Sequence, residues 1–141
     1  GLPPAWVDIS DYVAADIERI RKKMAELSEI HAKVFLTTSF DDVNSDEHAV
    51  EIVTQEISRL FRKGEQKLKK LSDNSMGDSE TDAKIRKNVQ VSLASELQQL
   101  SFAFRKKQKD YLNNLQNQRE GDKSGALPVT FEEVVYPFPW T

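Results

Sequence analysis

The sequence contains no cysteine, and only five of its 141 residues are glycine and five are proline. The lack of cysteine excludes disulfide bonds and thiolate metal sites. Sparse glycine and proline leave few points at which a regular element must end, which favours long helices over many short strands. No stretch of the sequence approaches the run of roughly 18 apolar residues that a membrane-spanning helix needs.

Signals for nucleic-acid binding and for catalysis are equally scarce. The net charge is −3 and the pI is near 5.5, which argues against nucleic acid as the main ligand. The only histidines are His31 and His48, and neither begins a His-Glu-x-x-His zinc motif. The five glycines are too scattered to form a phosphate-binding loop. We therefore predict a protein with no cofactor and no enzymatic activity.

Three segments space their apolar residues three and four apart, as in a heptad repeat. A strand would alternate with a period of two, and none of these segments does. The three seams are Val13, Ile17, Ile20, Met24, Leu27, His31 and Val34; then Val50, Val53, Ile57, Leu60, Gly64, Leu68 and Leu71; then Ile85, Val89, Leu93, Leu97, Leu100, Phe104, Gln108, Tyr111 and Leu115. Each seam predicts one face of a long helix.

The spacing predicts helices over residues 8–36, 45–72 and 80–120, with residues 1–7 as a lead-in and 121–141 as a linker or tail. Short connections between long helices predict antiparallel neighbours. Each helix is marginal alone and must bury its seam against the others. The predicted fold is all-α: an antiparallel, up-down-up three-helix bundle with a left-handed twist and an extended C-terminal tail.

Local residues support these boundaries. Asn44 or Ser45 can cap the second helix, and Ser79 with Asp82 has the spacing of a capping box before the third. Gly121 is a natural C-terminal stop for the third helix.

Three other residues are interpreted from their positions. Trp6 follows two prolines and can lie against the end of the bundle as a hydrophobic anchor. His31 is expected to be a histidine at the core edge, hydrogen-bonded to a neighbour, with a pH switch or a ligand role as the alternative. Gly64 costs about 1 kcal/mol relative to alanine within a helix. Its expected reason is a close helix approach, with a hinge as the alternative.

A few apolar residues lie off the seams. Val91 and Phe102 lie almost opposite the seam of the third helix and within about 20° of each other, and Ile52 is similarly displaced on the second. Isolated exposed apolar residues are normal. The alternative is that Ile52, Val91 and Phe102 flank a groove for another helix.

The third helix is basic, although the whole protein is acidic. Its net charge is +3, from eight basic and five acidic residues, and a basic cluster contains Arg105, Lys106, Lys107 and Lys109, of which Arg105, Lys106 and Lys109 are the candidate basic surface. This cluster can attract anionic lipid or an acidic partner. Consecutive helical residues point about 100° apart, so an ordinary solvated face is the alternative.

The segment 121–141 differs in character. Phe131, Tyr136, Phe138 and Trp140 are interspersed with prolines and lack helical spacing, which favours an extended path. Because exposed aromatic rings are unfavourable in water, we expect these four residues to dock on the bundle or on a neighbouring copy.

Four stretches of the chain together resemble the N-terminal regulatory Habc domain of syntaxins, the Qa-SNAREs. They read "LPPAWVDIS", "IERIRKKMAEL", "HAVEIVTQEISRLF" and "IRKNVQVSLASELQQLSFAFRKKQKDYLNNL". The similarity covers about residues 2–120 and is strongest to the trans-Golgi network and endosomal subfamily, the Tlg-two and syntaxin-sixteen group.

The resemblance implies a regulatory domain of a t-SNARE in vesicle docking and fusion, on the cytoplasmic face of trans-Golgi network and endosomal membranes. The implied partners are the protein's own SNARE helix, cognate SNAREs and an SM-type regulator. The N-terminal peptide that such a regulator binds is not expected within this chain, and membrane attachment is expected through an anchor outside it. A membrane-surface module that binds anionic lipid through the third helix is the alternative.

Overall fold

The computed structural model describes residues 4–72 and 79–122. Within them the chain forms three helices and no strand. Helix α1 spans Ala5–Leu36, α2 spans Phe40–Leu71 and α3 spans Glu80–Asp122. The three helices pack against one another, and the interface between α1 and α2 is the most extensive. The predicted all-α three-helix bundle is confirmed.

The predicted seams form one continuous core. Most of their apolar members are buried in a single cluster, in which the rings of Phe61 and Phe104 stack with centroids 5.9 Å apart. Ile85 is an exception, because it is largely exposed, whereas the next residue, Arg86, is buried. The guanidinium of Arg86 donates a hydrogen bond to the carbonyl oxygen of Leu71, so the polar side chain turns inward at the end of α2.

Helix α1 begins earlier than predicted, so residues 5–7 are helical and do not belong to a lead-in. Pro4 is the N-cap residue, and its carbonyl accepts a hydrogen bond from the Val7 amide at 3.0 Å. Trp6, in the first turn, is buried in the core. Burial of this large side chain draws the first turn onto the bundle, and the expected role of Trp6 as a hydrophobic anchor agrees with its position.

Helix α2 also begins earlier than predicted, at Phe40 instead of residue 45. The N-cap position belongs to Ser39, so neither Asn44 nor Ser45 caps this helix. The buried carboxylate of Asp46 accepts a hydrogen bond from the Thr37 hydroxyl at 3.0 Å and pairs with Lys33 at 3.3 Å. These contacts tie the first turns of α2 to the end of α1, leaving only three residues between the helices.

The boundaries of α3 are closer to prediction. The Asp82 amide donates a hydrogen bond to the Ser79 hydroxyl at 3.1 Å, which confirms one half of the predicted capping box. Gly121 does not stop the helix, which continues to Asp122, because a single glycine costs a helix only about 1 kcal/mol. The predicted tail residues Phe131, Tyr136, Phe138 and Trp140 lie outside the described residues.

Candidate interaction surface

Helix α3 presents an apolar and basic face away from the core. Val91 is 61% exposed and Phe102 is 54% exposed. They lie 11 residues apart, which places them about 16 Å apart along the helix and about 20° apart around it. Both side chains therefore belong to one outward face.

Basic side chains surround these two residues. The Arg105 guanidinium lies 5.4 Å from the centroid of the Phe102 ring and donates a hydrogen bond to the Ser101 hydroxyl at 3.2 Å. At 100° per residue, no acidic residue between positions 84 and 116 lies within about 60° of the direction of Phe102. We call this surface the outer α3 face and define it by Lys84, Lys87, Val91, Phe102, Arg105, Lys106 and Lys109.

The structure divides the predicted basic cluster. Lys106 and Lys109 are exposed on the outer α3 face, and Lys106 pairs with Asp110 at 3.1 Å. Lys107 points the other way and donates a hydrogen bond to the hydroxyl of Ser28 on α1. Arg105, Lys106 and Lys109 therefore contribute charge to the outer face, whereas Lys107 helps to join α3 to α1.

Ile52 does not share a surface with Val91 and Phe102. Thr54 faces α3, because its hydroxyl accepts a hydrogen bond from Nε2 of Gln108 at 3.3 Å. Ile52 lies two residues earlier and therefore points about 160° away from Thr54. It is 44% exposed, on the side of α2 that faces away from α3.

A buried aromatic pair joins α1 to α3. The ring of His31 stacks on that of Tyr111, with centroids 4.0 Å apart. Burial, together with repulsion from Lys107, lowers the pKa of His31 to about 4, although the side chain of Gln108 opposes this shift. The histidine is thus neutral at physiological pH and packs as a core residue. In the described part of the chain, no group of three or more histidine and acidic residues is arranged to hold a metal ion.

Sequence spacing does not single out Asp16, which is the most deeply buried acidic residue in the part of the chain that the structure describes. Asp16 on α1 is fully buried and pairs with Lys67 of α2 at 2.8 Å and with Arg19 at 2.9 Å. The Lys67 ammonium also lies 5.5 Å from the centroid of the Tyr12 ring. The available signal was the position of Asp16 directly beside the seam residue Ile17. A charge there is usually solvated, so the signal is weak without knowledge of the partner helix.

The apolar side chains of the described helices are distributed for packing in a bundle. None of these helices carries a stretch long and apolar enough to cross a membrane.

Comparison with known proteins identifies the family. A protein of Arabidopsis thaliana named Tlg2p-like protein a is 52% identical over 120 residues, which are 85% of this chain and 36% of that protein. Human Syntaxin-16 is 40% identical over 118 residues, or 84% of this chain and 36% of that protein. This chain is homologous to a segment of the syntaxins. The t-SNARE affecting a late Golgi compartment protein 2 of Schizosaccharomyces pombe is 29% identical over 114 residues, 81% of this chain and 38% of that protein.

The chain spans about a third of the length of the syntaxins that it matches. No protein-family model matches it, and no solved structure matches it significantly. The identity of 40–52% to these relatives confirms the resemblance drawn from the four sequence stretches.

Proposed function

We propose that this chain is the Habc-type regulatory domain of a t-SNARE and acts in vesicle docking and fusion at the trans-Golgi network and endosomes. It binds proteins and catalyses no reaction. The observation that carries the proposal is the identity of 40–52% to Tlg2p-like protein a and to three proteins named syntaxin, over a chain that folds as a three-helix bundle.

The domain modulates SNARE assembly by binding a helix, which belongs either to the SNARE segment of its own protein or to a partner. Helix α3 supports this role, because the apolar side chain of Val91 lies outside the core and is exposed to solvent. An amphipathic helix that lies along α3 can cover such a residue and bury its own apolar stripe at the same time. A SNARE helix held in this way is unavailable for assembly with cognate SNAREs.

The domain works at the cytoplasmic face of these membranes. An SM-type regulator is a further partner, and an anchor outside the 141 residues attaches the protein to the membrane. The family resemblance and the late-Golgi t-SNARE name of the fission-yeast relative support this part of the proposal.

A titration with a SNARE helix tests the proposal. A labelled peptide carrying the SNARE segment of the full-length protein should bind this chain saturably, as measured by fluorescence anisotropy, and the chain should slow SNARE assembly. Val91→Asp should weaken binding about tenfold, since a charge replaces an apolar contact worth about 1.4 kcal/mol. Leu36→Asp is the matched control, because Leu36 is exposed at the far end of α1. Absence of binding to this peptide and to cognate SNARE helices would refute the proposal.

The outer α3 face supports a second candidate function, which is binding to anionic membranes. Five basic residues and Phe102 share this face, and basic residues near an anionic surface contribute about 1 kcal/mol each. Sedimentation with phosphatidylserine vesicles tests it, with phosphatidylcholine vesicles as the control. Binding that requires the anionic lipid and is lost at modest salt would favour this function over the first.

A further inference from the structure

The C-terminal half of the outer α3 face is apolar at its centre and basic around it. Phe102 is more than half exposed. Lys106 and Lys109 lie within about 40° of its direction, one and two turns further along the helix. A ligand that fits this surface carries an apolar group beside negative charge.

The chain itself contains a segment with this chemistry. Residues 131–136 read Phe-Glu-Glu-Val-Val-Tyr, so that Glu132 and Glu133 are enclosed by apolar side chains. Opposite charges on the two segments make them complementary. The remaining tail aromatics, Phe138 and Trp140, follow directly.

The chain length between the two segments is sufficient. Glu132 lies ten positions beyond the end of α3 at Asp122, and ten extended residue steps span at most about 33–36 Å. Along α3, Lys106 lies about 24 Å from Asp122 and Lys109 about 20 Å. The glutamates therefore reach both lysines when the chain turns back along the helix.

A second exposed apolar patch has the wrong charge for this segment. Leu36 and Phe40 are 82% and 78% exposed at the connection between α1 and α2. Asp41 and Asp42 follow Phe40 directly in the first turn of α2. These carboxylates would repel Glu132 and Glu133, so charge favours the outer α3 face.

We propose that residues 131–136 dock intramolecularly on the outer α3 face, with Glu132 and Glu133 opposite Lys106 and Lys109 and with aromatic rings covering Phe102. The contact needs no SNARE partner, because both segments belong to this chain. Its charges lie at the surface, so the docking weakens as salt is raised.

Paramagnetic NMR on the full chain tests the proposal. The absence of cysteine allows a single nitroxide label at Val134→Cys. The label should broaden the amide signals from Phe102 to Lys109 most strongly. Reversing the facing charges with Lys106→Glu and Lys109→Glu should reduce this broadening several-fold, and adding Glu132→Lys and Glu133→Lys should restore it. Lys84→Glu with Lys87→Glu is the matched control on the same face and should leave the broadening unchanged.

Each other occupant of this face gives a distinct result that overturns the proposal. Broadening centred on Leu36 and Phe40 would place the tail on the other patch. Broadening seen only between labelled and isotope-enriched chains in a mixture would show docking onto a second copy. Signals on the face that respond only to phosphatidylserine vesicles would show a membrane as the occupant. Broadening that is unchanged when the charges of Lys106 and Lys109 are reversed would show that these charges do not hold the tail on the face.

Discussion

The imidazole of His31 on α1 lies parallel to the phenol ring of Tyr111 on α3, with 7° between the ring planes and 4.0 Å between their centroids. The pair packs where α1 and α3 meet, and Phe35 contacts the same tyrosine ring from the next turn, at 5.8 Å. A charge on His31 would be buried and placed near Lys107, which explains why its pKa lies at about 4. The protonation state of this one residue is therefore coupled to the attachment of α3.

Folding stability is expected to fall as the pH drops from about 6.5 to 4. The unfolded chain protonates His31 near its ordinary pKa of 6.5, whereas the folded chain resists protonation down to about 4. The unfolded state thus binds more protons in this window, and the full difference is about 3 kcal/mol. His31→Phe keeps an aromatic ring beside Tyr111. Over this pH range its free energy of unfolding, measured with urea, should fall less than that of the unmodified chain by about that amount.

His48→Gln is the control for this pH dependence, because His48 lies exposed on α2. Carboxylates that titrate in the same range contribute equally to the control and to the unmodified chain. An identical pH dependence in His31→Phe and in the control would contradict the assignment to His31.

Removal of the Asp16 carboxylate should destabilise the bundle. Asp16→Ala leaves the ammonium of Lys67 partly buried without its partner on α1, and breaking a buried pair in this way costs about 3 kcal/mol. Asp11→Ala, on the exposed side of the same helix, should change the free energy of unfolding by less than about 0.5 kcal/mol. Guanidinium unfolding compares the two variants. Equal losses of unfolding free energy would show that the buried pair stabilises the bundle no more than the exposed Asp11 does.

Gly64→Ala should stabilise the protein by up to about 1 kcal/mol, the difference in helix propensity between the two residues. A Cβ atom at this position would lie 3.4 and 3.7 Å from the two methyl carbons of Leu97, which is ordinary contact. Gly64→Leu should instead destabilise it by about 1–3 kcal/mol, because the larger side chain overpacks the interface between α2 and α3. A loss of stability in thermal unfolding of Gly64→Ala would mean that the helices approach too closely for even one methyl group.

Arg86→Met should loosen the C-terminal end of α2. The buried guanidinium bonds to the Leu71 carbonyl oxygen, and a hydrogen bond from a charged group contributes about 1.5–3 kcal/mol. Hydrogen exchange of the amides in the last turn of α2 should accelerate. Lys87→Met replaces the neighbouring exposed residue and should leave this exchange unchanged. Equal protection of these amides in both variants would show that apolar packing alone holds the end of α2 in place.

Local sequence pattern is sufficient to predict the number of helices, their approximate lengths and most of the faces that they bury. Heptad spacing is a local property, because residues three and four apart share one side of a helix whatever lies opposite. The predicted seams of α1 and α2 are therefore buried throughout. The same local spacing placed Val91 and Phe102 on one exposed face.

Packing between distant segments sets which polar residues enter the core and where the helices begin. Asp16 is buried because its partner Lys67, 51 residues away, meets it there. Arg86 is buried in place of Ile85 because the Leu71 carbonyl at the end of α2 accepts its hydrogen bond. Ile52 is separated from Phe102 because the side of α2 that carries Thr54 faces α3. Such placements depend on pairing between distant segments, and the free energy of burying a charge or an amide is set by the partner that receives it.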